Sequence, residues 1–295
     1  FNEYLFFDGA MGTMLQKSGL KIGELPELLN LTAPDTILNI HKEYVSAGAR
    51  IITANTFGAN KHKMKDSDTV KKVIKSGIEI AKNSGAEYVA LDIGPTGAML
   101  KPIGTMDFED AYEIFKEQVI AGKDADIILI ETMSDLLEAK AAVLAAKENS
   151  DLPVFVTMTY TDNGRTFLGT DPISATITLC SLGVDAVGVN CSLGPKELLG
   201  VVKDILSVST KPVIVQANAG LPEIVDGKTV FPVKPKEFTD TIIQMAEMGV
   251  SIIGGCCGTS PEYIKEISER LSGKKPNIIK VTFSHLSNTS FLSSS

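Results

Sequence analysis

Cysteine is scarce in this sequence: four residues in 295, two of them adjacent at Cys256 and Cys257. Four cannot build the disulfide framework of a small secreted domain. Neighbouring cysteines bridge each other only by distorting the peptide between them, so thiols or metal ligands are expected. Long apolar runs are missing too. No segment supplies the roughly 20 apolar residues that span a bilayer, and no charged-then-apolar leader is visible. These absences predict a cytoplasmic protein with no membrane partner. Positive charge is also short, with 28 Lys and Arg against 36 Asp and Glu, a net charge of −8. That balance excludes non-specific binding of nucleic acid, which needs a basic surface. His41, His62 and His285 follow no predicted strand, so helix-surface or loop positions are expected for them.

What the sequence does have is a repeated alternation. At 44% hydrophobic residues it can bury a core of ordinary size. Short β-rich runs fall at residues 5–7, 51–53, 88–91, 127–130, 154–158, 186–189, 213–216 and 251–254. Helical spacing follows at 34–47, 107–121, 134–147, 171–182, 195–206, 235–248 and 261–271. Proline opens several of these helices and glycine follows their ends, as helix punctuation requires. Lys71, Lys72 and Lys75 read as one solvated helix face. Eight strands alternating with helices predict parallel strands joined by right-handed crossovers. The count fits a single-domain α/β protein, a (β/α)8 TIM barrel over residues 1–273. A doubly wound open sheet is the alternative. Residues 274–295 are rich in Ser, Asn and Lys and read as a linker or disordered tail.

In a barrel, chemistry collects where strands end. Asp8-Gly9-Ala10 follows the first predicted strand, Asn55-Thr56 the second, Asp92 the third, Glu131 the fourth, Asn190-Cys191-Ser192 the sixth, Asn218 the seventh and Cys256-Cys257 the eighth. The sixth and eighth strands of a barrel lie two apart on its rim. Cys191, Cys256 and Cys257 can therefore converge on one ion, and three thiolates favour Zn²⁺. Three protein ligands leave the fourth tetrahedral position open, as in catalytic rather than structural zinc. The competing reading is a set of small core residues, which suits Cys180, inside a predicted helix.

Five ordered stretches carry a resemblance: Asp8-Gly9-Ala10-Met11-Gly12-Thr13, Thr53-Ala54-Asn55-Thr56-Phe57-Gly58, Asp92-Ile93-Gly94-Pro95-Thr96-Gly97, Val189-Asn190-Cys191-Ser192 and Gly254-Gly255-Cys256-Cys257-Gly258-Thr259. Together they resemble the zinc-dependent homocysteine S-methyltransferase family from about residue 5 to 271. Thr170-Asp171-Pro172, Asn190-Cys191-Ser192-Leu193-Gly194-Pro195 and Gly227-Lys228-Thr229-Val230-Phe231-Pro232 together look most similar to the N-terminal homocysteine domain of the cobalamin-dependent methionine synthases. The resemblance implies a barrel whose three cysteines hold zinc. It implies that L-homocysteine binds as a zinc-bound thiolate and accepts a methyl group to give methionine. The donor implied is methylcobalamin, supplied by a cobalamin-binding domain or subunit and recharged from a methyltetrahydrofolate-binding one. The resemblance assigns Glu131 to the substrate ammonium and Asp8 to the same group or an ordering hydrogen bond. The N–H groups of Gly9 and Ala10, with Thr56, are assigned to the carboxylate. Asn190 and Asn218 are expected to bond either the cysteine sulfurs or backbone, as are Asn55 and Asp92. Betaine or S-methylmethionine as donor, and a non-catalytic structural or redox zinc barrel, are the alternatives. No cobalamin signature Asp-x-His-x-x-Gly occurs here, and no lysine at a strand end supports a Schiff-base barrel.

Overall fold

In the computed structural model, residues 3–20, 23–225 and 228–277 are described. The elements in chain order are β1 (Leu5–Phe6), α1 (Met11–Lys17), α2 (Leu29–Thr32), α3 (Pro34–Ser46), β2 (Ile51–Thr53), α4 (Lys61–Met64), α5 (Ser67–Lys82), β3 (Tyr88–Ile93), α6 (Phe108–Ala121), β4 (Ile127–Met133), α7 (Leu136–Asn149) and β5 (Val154–Met158). Then follow α8 (Pro172–Ser181), β6 (Ala186–Asn190), α9 (Pro195–Val208), β7 (Val213–Ala217), β8 (Glu223–Val225), β9 (Lys228–Val230), α10 (Pro235–Met248), β10 (Ile252–Gly255) and α11 (Pro261–Leu271).

Eight parallel strands pair in the order β1-β10-β7-β6-β5-β4-β3-β2. A parallel bridge between Phe7 and Ile51 joins the two ends. That bridge makes the sheet a (β/α)8 barrel and removes the open doubly wound alternative. The strands alternate in what they bury, as period-two geometry demands. Leu5, Phe7, Ile51, Ala90, Ile127, Leu129, Phe155, Ala186, Ile214 and Ile252 form one apolar cluster inside the barrel. Their neighbours in sequence, such as Phe6, Ile52, Leu91 and Ile128, join the larger cluster beneath the helices. Phe7 and Phe155 meet edge to face across the interior at 6.4 Å. The strand-to-strand pitch is set partly by Gly188, where a Cβ would stand 1.9 Å from the Ile214 carbonyl oxygen.

Proline occupies the first turn of α3, α8, α9, α10 and α11, where its missing N–H costs nothing. The longer of the two helices between β2 and β3, α5, has no such mark and was not delimited by the sequence pattern. Asp66 caps it instead, accepting from the N–H groups of Asp68 and Thr69. Lys71, Lys72 and Lys75 are exposed on it, as expected. The antiparallel hairpin β8–β9 is a second departure, inserted between β7 and α10. Its Gly227 lies outside the described residues, as do His285 and residues 278–295 of the predicted tail. Among the described residues no helix is long and apolar enough to cross a membrane.

His41 corrects an expectation. It lies on α3 but is wholly buried rather than at the helix surface. Neither ring nitrogen has a partner among the described residues. Burial drives its pKa down from 6.5 to about 4. Between those values the unfolded chain binds a proton that the folded one refuses, so His41's contribution is full above about pH 6.5 and lost as pH falls toward 4. His41→Leu removes that loss. In chemical denaturation its stability relative to the parent should rise by up to about 3 kcal/mol as pH falls from 6.5 to 4. A difference independent of pH would show that the buried imidazole does not govern the acid limb.

Candidate metal centre

The inward-facing positions change character toward the C-terminal end of each strand. Two residues beyond interior Ile51 stands Thr53, beyond Ala90 stands Asp92, and beyond Leu129 stands Glu131. Phe155 gives way to Thr157, Ile214 to Gln216, and Ala186 to Asn190 two steps on. The apolar layers of the barrel therefore end under a polar one, at the end where such barrels place their sites.

The three cysteines converge there. Their sulfurs all lie within 4.8 Å of one another, and Cys191 Sγ is 3.9 Å from Cys257 Sγ. β7 lies between the two strands that carry them and ties both in place. The Cys191 N–H donates to the Gln216 carbonyl at 3.0 Å and the Cys256 N–H to the Ala217 carbonyl at 2.8 Å, while Ala219 N–H donates to the Cys257 carbonyl at 2.9 Å. Gly255 allows the turn into the pair, because a Cβ there would sit 2.4 Å from Thr259 Oγ1. Cys191 and Ser192 both take left-handed backbone, with φ of 60° and 59°. Such residues cost about 1–3 kcal/mol each and persist where the surroundings fix them. Here that conformation turns Cys191 toward the pair that follows β10.

The donor set fits a zinc ion. Sulfurs placed tetrahedrally about 2.3 Å from zinc stand about 3.8 Å apart, close to the observed spacing. Without a cation, three thiols this close cannot all ionise. Hydrogen bonds from the Cys256 and Cys257 thiols pull Cys191 down to about 3. The same bonds push Cys256 well above its ordinary value and Cys257 up to about 12. One negative charge is thus shared where a dication would support three. Asn190 Nδ2 points to Cys256 Sγ at 3.9 Å. Such contacts orient ligands and tune their basicity.

Beside the sulfurs stands an acidic wall. Asn190 spans the two, donating to Glu131 Oε2 at 3.3 Å and to Thr132 Oγ1 at 2.8 Å while its Oδ1 accepts from Thr132 N–H and Thr157. A register shift between Ile130 and Met133 breaks the β4–β5 ladder here, and Thr132 has φ 60°. The irregularity brings the Glu131 side chain to Asn190. Burial, the Cys191 charge and Asp8 push Glu131 up to about 8. Asp8 is buried and takes hydrogen bonds from the N–H and hydroxyl of Thr53, at 2.9 and 2.8 Å. Burial outweighs both bonds and lifts it to about 7.

Several of the expected residues already have partners within the protein. The Ala10 N–H is engaged by Thr259 Oγ1 at 3.2 Å. The Thr56 hydroxyl is engaged by the Asp92 backbone, donating to its carbonyl at 2.9 Å and accepting from its N–H at 3.1 Å. Asn55 bonds Asn30 and the Pro26 carbonyl instead of the site. Gly9 packs on Tyr44 and Thr259, and its N–H makes no hydrogen bond within the described residues. Thr53 and Gln216 were overlooked in the sequence, although their parity with Ile51 and Ile214 marks them as inward-facing.

A family model described as homocysteine S-methyltransferase matches residues 5–271. Methionine synthase of Mycobacterium leprae is 34% identical over 286 residues, 88% of this chain and 24% of that protein. Methionine synthase of Mycobacterium tuberculosis is 33% identical over 293 residues, 91% of this chain and 24% of that protein. The chain thus spans about a quarter of the length of these relatives. The metallated form of homocysteine methyltransferase MmuM from Escherichia coli has the same fold, with a TM-score of 0.77 at 21% identity over 91% of this chain and 96% of that one.

Asp8 carries a pH signature of its own. Its folded pKa lies above its unfolded one, so its contribution is full below about pH 4 and lost as pH rises toward 7. Asp8→Asn should therefore gain stability over the parent as pH rises through that window, by a figure on the order of 4 kcal/mol in substrate-free protein. Urea titrations at both ends of the window measure it, and a constant offset would show that Asp8 ionises freely.

Proposed function

The chain belongs to the homocysteine S-methyltransferase family, and we propose that it is the homocysteine-activating unit of a zinc-dependent methionine synthase. The observation that carries this reading is the convergence of Cys191, Cys256 and Cys257 beside the acids Glu131 and Asp8. Methyl transfer forms a carbon–sulfur bond with an electron pair of the homocysteine sulfur, while the donor's leaving group departs with the pair that held the methyl. The thiol proton must be lost. Zinc held by the three cysteines supplies Lewis acidity, which keeps an incoming thiol ionised at neutral pH.

The chain's own residues do the rest. Cys191, Cys256 and Cys257 hold the metal as thiolates, and sulfur donors keep it electron-rich. Asn190 and Asn218 hold two of those sulfurs in place. Glu131 receives the substrate ammonium, with Asp8 behind it. The free Gly9 N–H receives the carboxylate. In this assignment Ala10 and Thr56 hold the loops rather than the substrate.

The methyl donor we assign to methylcobalamin on a separate domain or subunit, itself recharged by a methyltetrahydrofolate-binding one. Two features support a donor that docks. The chain spans about a quarter of the methionine synthases it resembles. The loops at the same barrel end expose apolar side chains, among them Ile103, Phe167 at 70% and Ile224 at 73% exposure, as surfaces that meet a partner do. A reducing cytoplasm suits three thiolates.

Zinc X-ray absorption tests the reading. The purified chain should show three sulfurs and one lighter ligand, and four sulfurs once L-homocysteine is added. An unchanged sulfur count would mean a structural or redox zinc. Cys256→Ala and Cys257→Ala should each bind less than about a tenth of the parent's zinc with little loss of helical circular dichroism, since a large barrel core does not need metal to fold. Glu131→Gln should keep its zinc and weaken homocysteine about tenfold or more, the worth of a hydrogen bond to a charged group. Equal affinity would remove Glu131 from the site.

A further inference from the structure

The acidic wall has a third member that the ammonium assignment leaves without a task. Asp92 is 5% exposed and lies on β3 two residues beyond interior Ala90. Its register partner on β4 is Leu129, two residues before Glu131. Neither carboxyl oxygen has a hydrogen bond among the described residues, and Oδ1 is sealed from solvent. A buried polar group without a partner costs about 1–3 kcal/mol, more when charged, so this one calls for an explanation. The backbone beneath it is fixed on both sides by Thr56. Among the described residues no side chain hydrogen-bonds the carboxyl itself.

Its charged neighbours are mostly acids. The nearby cation Lys63 lies over the Phe57 ring at 5.3 Å and makes no ion pair within 4 Å among the described residues. Burial and the charges of Glu131, Asp8 and Glu27 raise Asp92 well above the usual carboxylate range, with Lys63 opposing. A ligand that satisfies an unpaired buried carboxyl and offsets crowded carboxylates is a compact cation with several N–H donors, which a primary ammonium is.

We propose that Asp92 is a substrate-binding residue, the third carboxyl group around the amino-acid ammonium, and that Thr56 acts through it as a positioning residue. The inference rests on the homocysteine reading and deepens it. The site then selects thiols that carry a free primary amine, and Asp92 supplies part of that selection.

The test compares three thiols by calorimetry on the zinc-loaded chain: L-homocysteine, 3-aminopropane-1-thiol, which lacks the carboxylate, and 4-mercaptobutanoate, which lacks the amine. Asp92→Asn is isosteric with the protonated acid that the buried site favours, so the fold and zinc content should be kept. It should weaken both amine-bearing thiols about tenfold or more and leave 4-mercaptobutanoate within about twofold. Thr56→Val should move the same two ligands by a smaller factor, and reads the position independently should the first variant fold poorly. Equal weakening of all three thiols would make Asp92 merely structural, and no weakening of any would remove it from the site; either overturns the inference alone. A parent chain that binds no L-homocysteine overturns the functional reading and this inference with it.

Discussion

Everything at the C-terminal mouth of this barrel depends on the crowding of negative charge away from water. Three sulfurs lie within 4.8 Å of one another, and Asp8 and Asp92 are nearly inaccessible beside Glu131. Like charges this close cannot all ionise in a low-dielectric setting without cations. The protein alone holds protons there instead: burial raises Asp8 to about 7, and burial with neighbouring charge raises Glu131 to about 8. In the proposed function a metal dication would resolve the sulfur half of the problem and an ammonium the carboxylate half. Affinity for both can thus arise from one electrostatic cause.

Holding such a cluster needs a scaffold that does not relax. The barrel provides it through β7, whose end bonds the backbone of both cysteine-bearing strands. Backbone strain concentrates nearby, at Thr132, Cys191 and Ser192. Asn190 links these places, bonding Glu131, Thr132 and Thr157 while pointing at Cys256. One amide therefore sets the geometry of the acidic wall relative to the sulfurs.

The barrel was legible because its units are punctuated by Pro and Gly and each strand is a short apolar run. The sulfur cluster was legible because the barrel topology brings two distant strand ends together. What escaped has physical reasons. α5 begins with an Asp66 cap and lacks the proline that marks other helices. The β8–β9 hairpin is a local excursion that the barrel's period does not require. His41 looks polar in sequence, but its place on the inner side of α3 depends on what packs over the helix. Ala10 and Thr56 carry the right groups for a carboxylate, yet sequence cannot show that Thr259 and Asp92 have already engaged them. Motif position tells where a residue stands, and hydrogen-bond accounting tells whether it is free to bind.

That accounting also explains why so acidic a mouth persists. Burying Asp8, Asp92 and Glu131 works against folding whenever they must ionise, and replacing them with neutral isosteres would relieve the strain. The same groups gain most when a cation arrives, because the cost of removing them from water has already been met by the folded barrel. A pocket of solvated carboxylates would hold an ammonium weakly, since water competes on equal terms. Stability surrendered in the empty state thus becomes selectivity in the occupied one, the usual relation between a strained site and the scaffold that supports it.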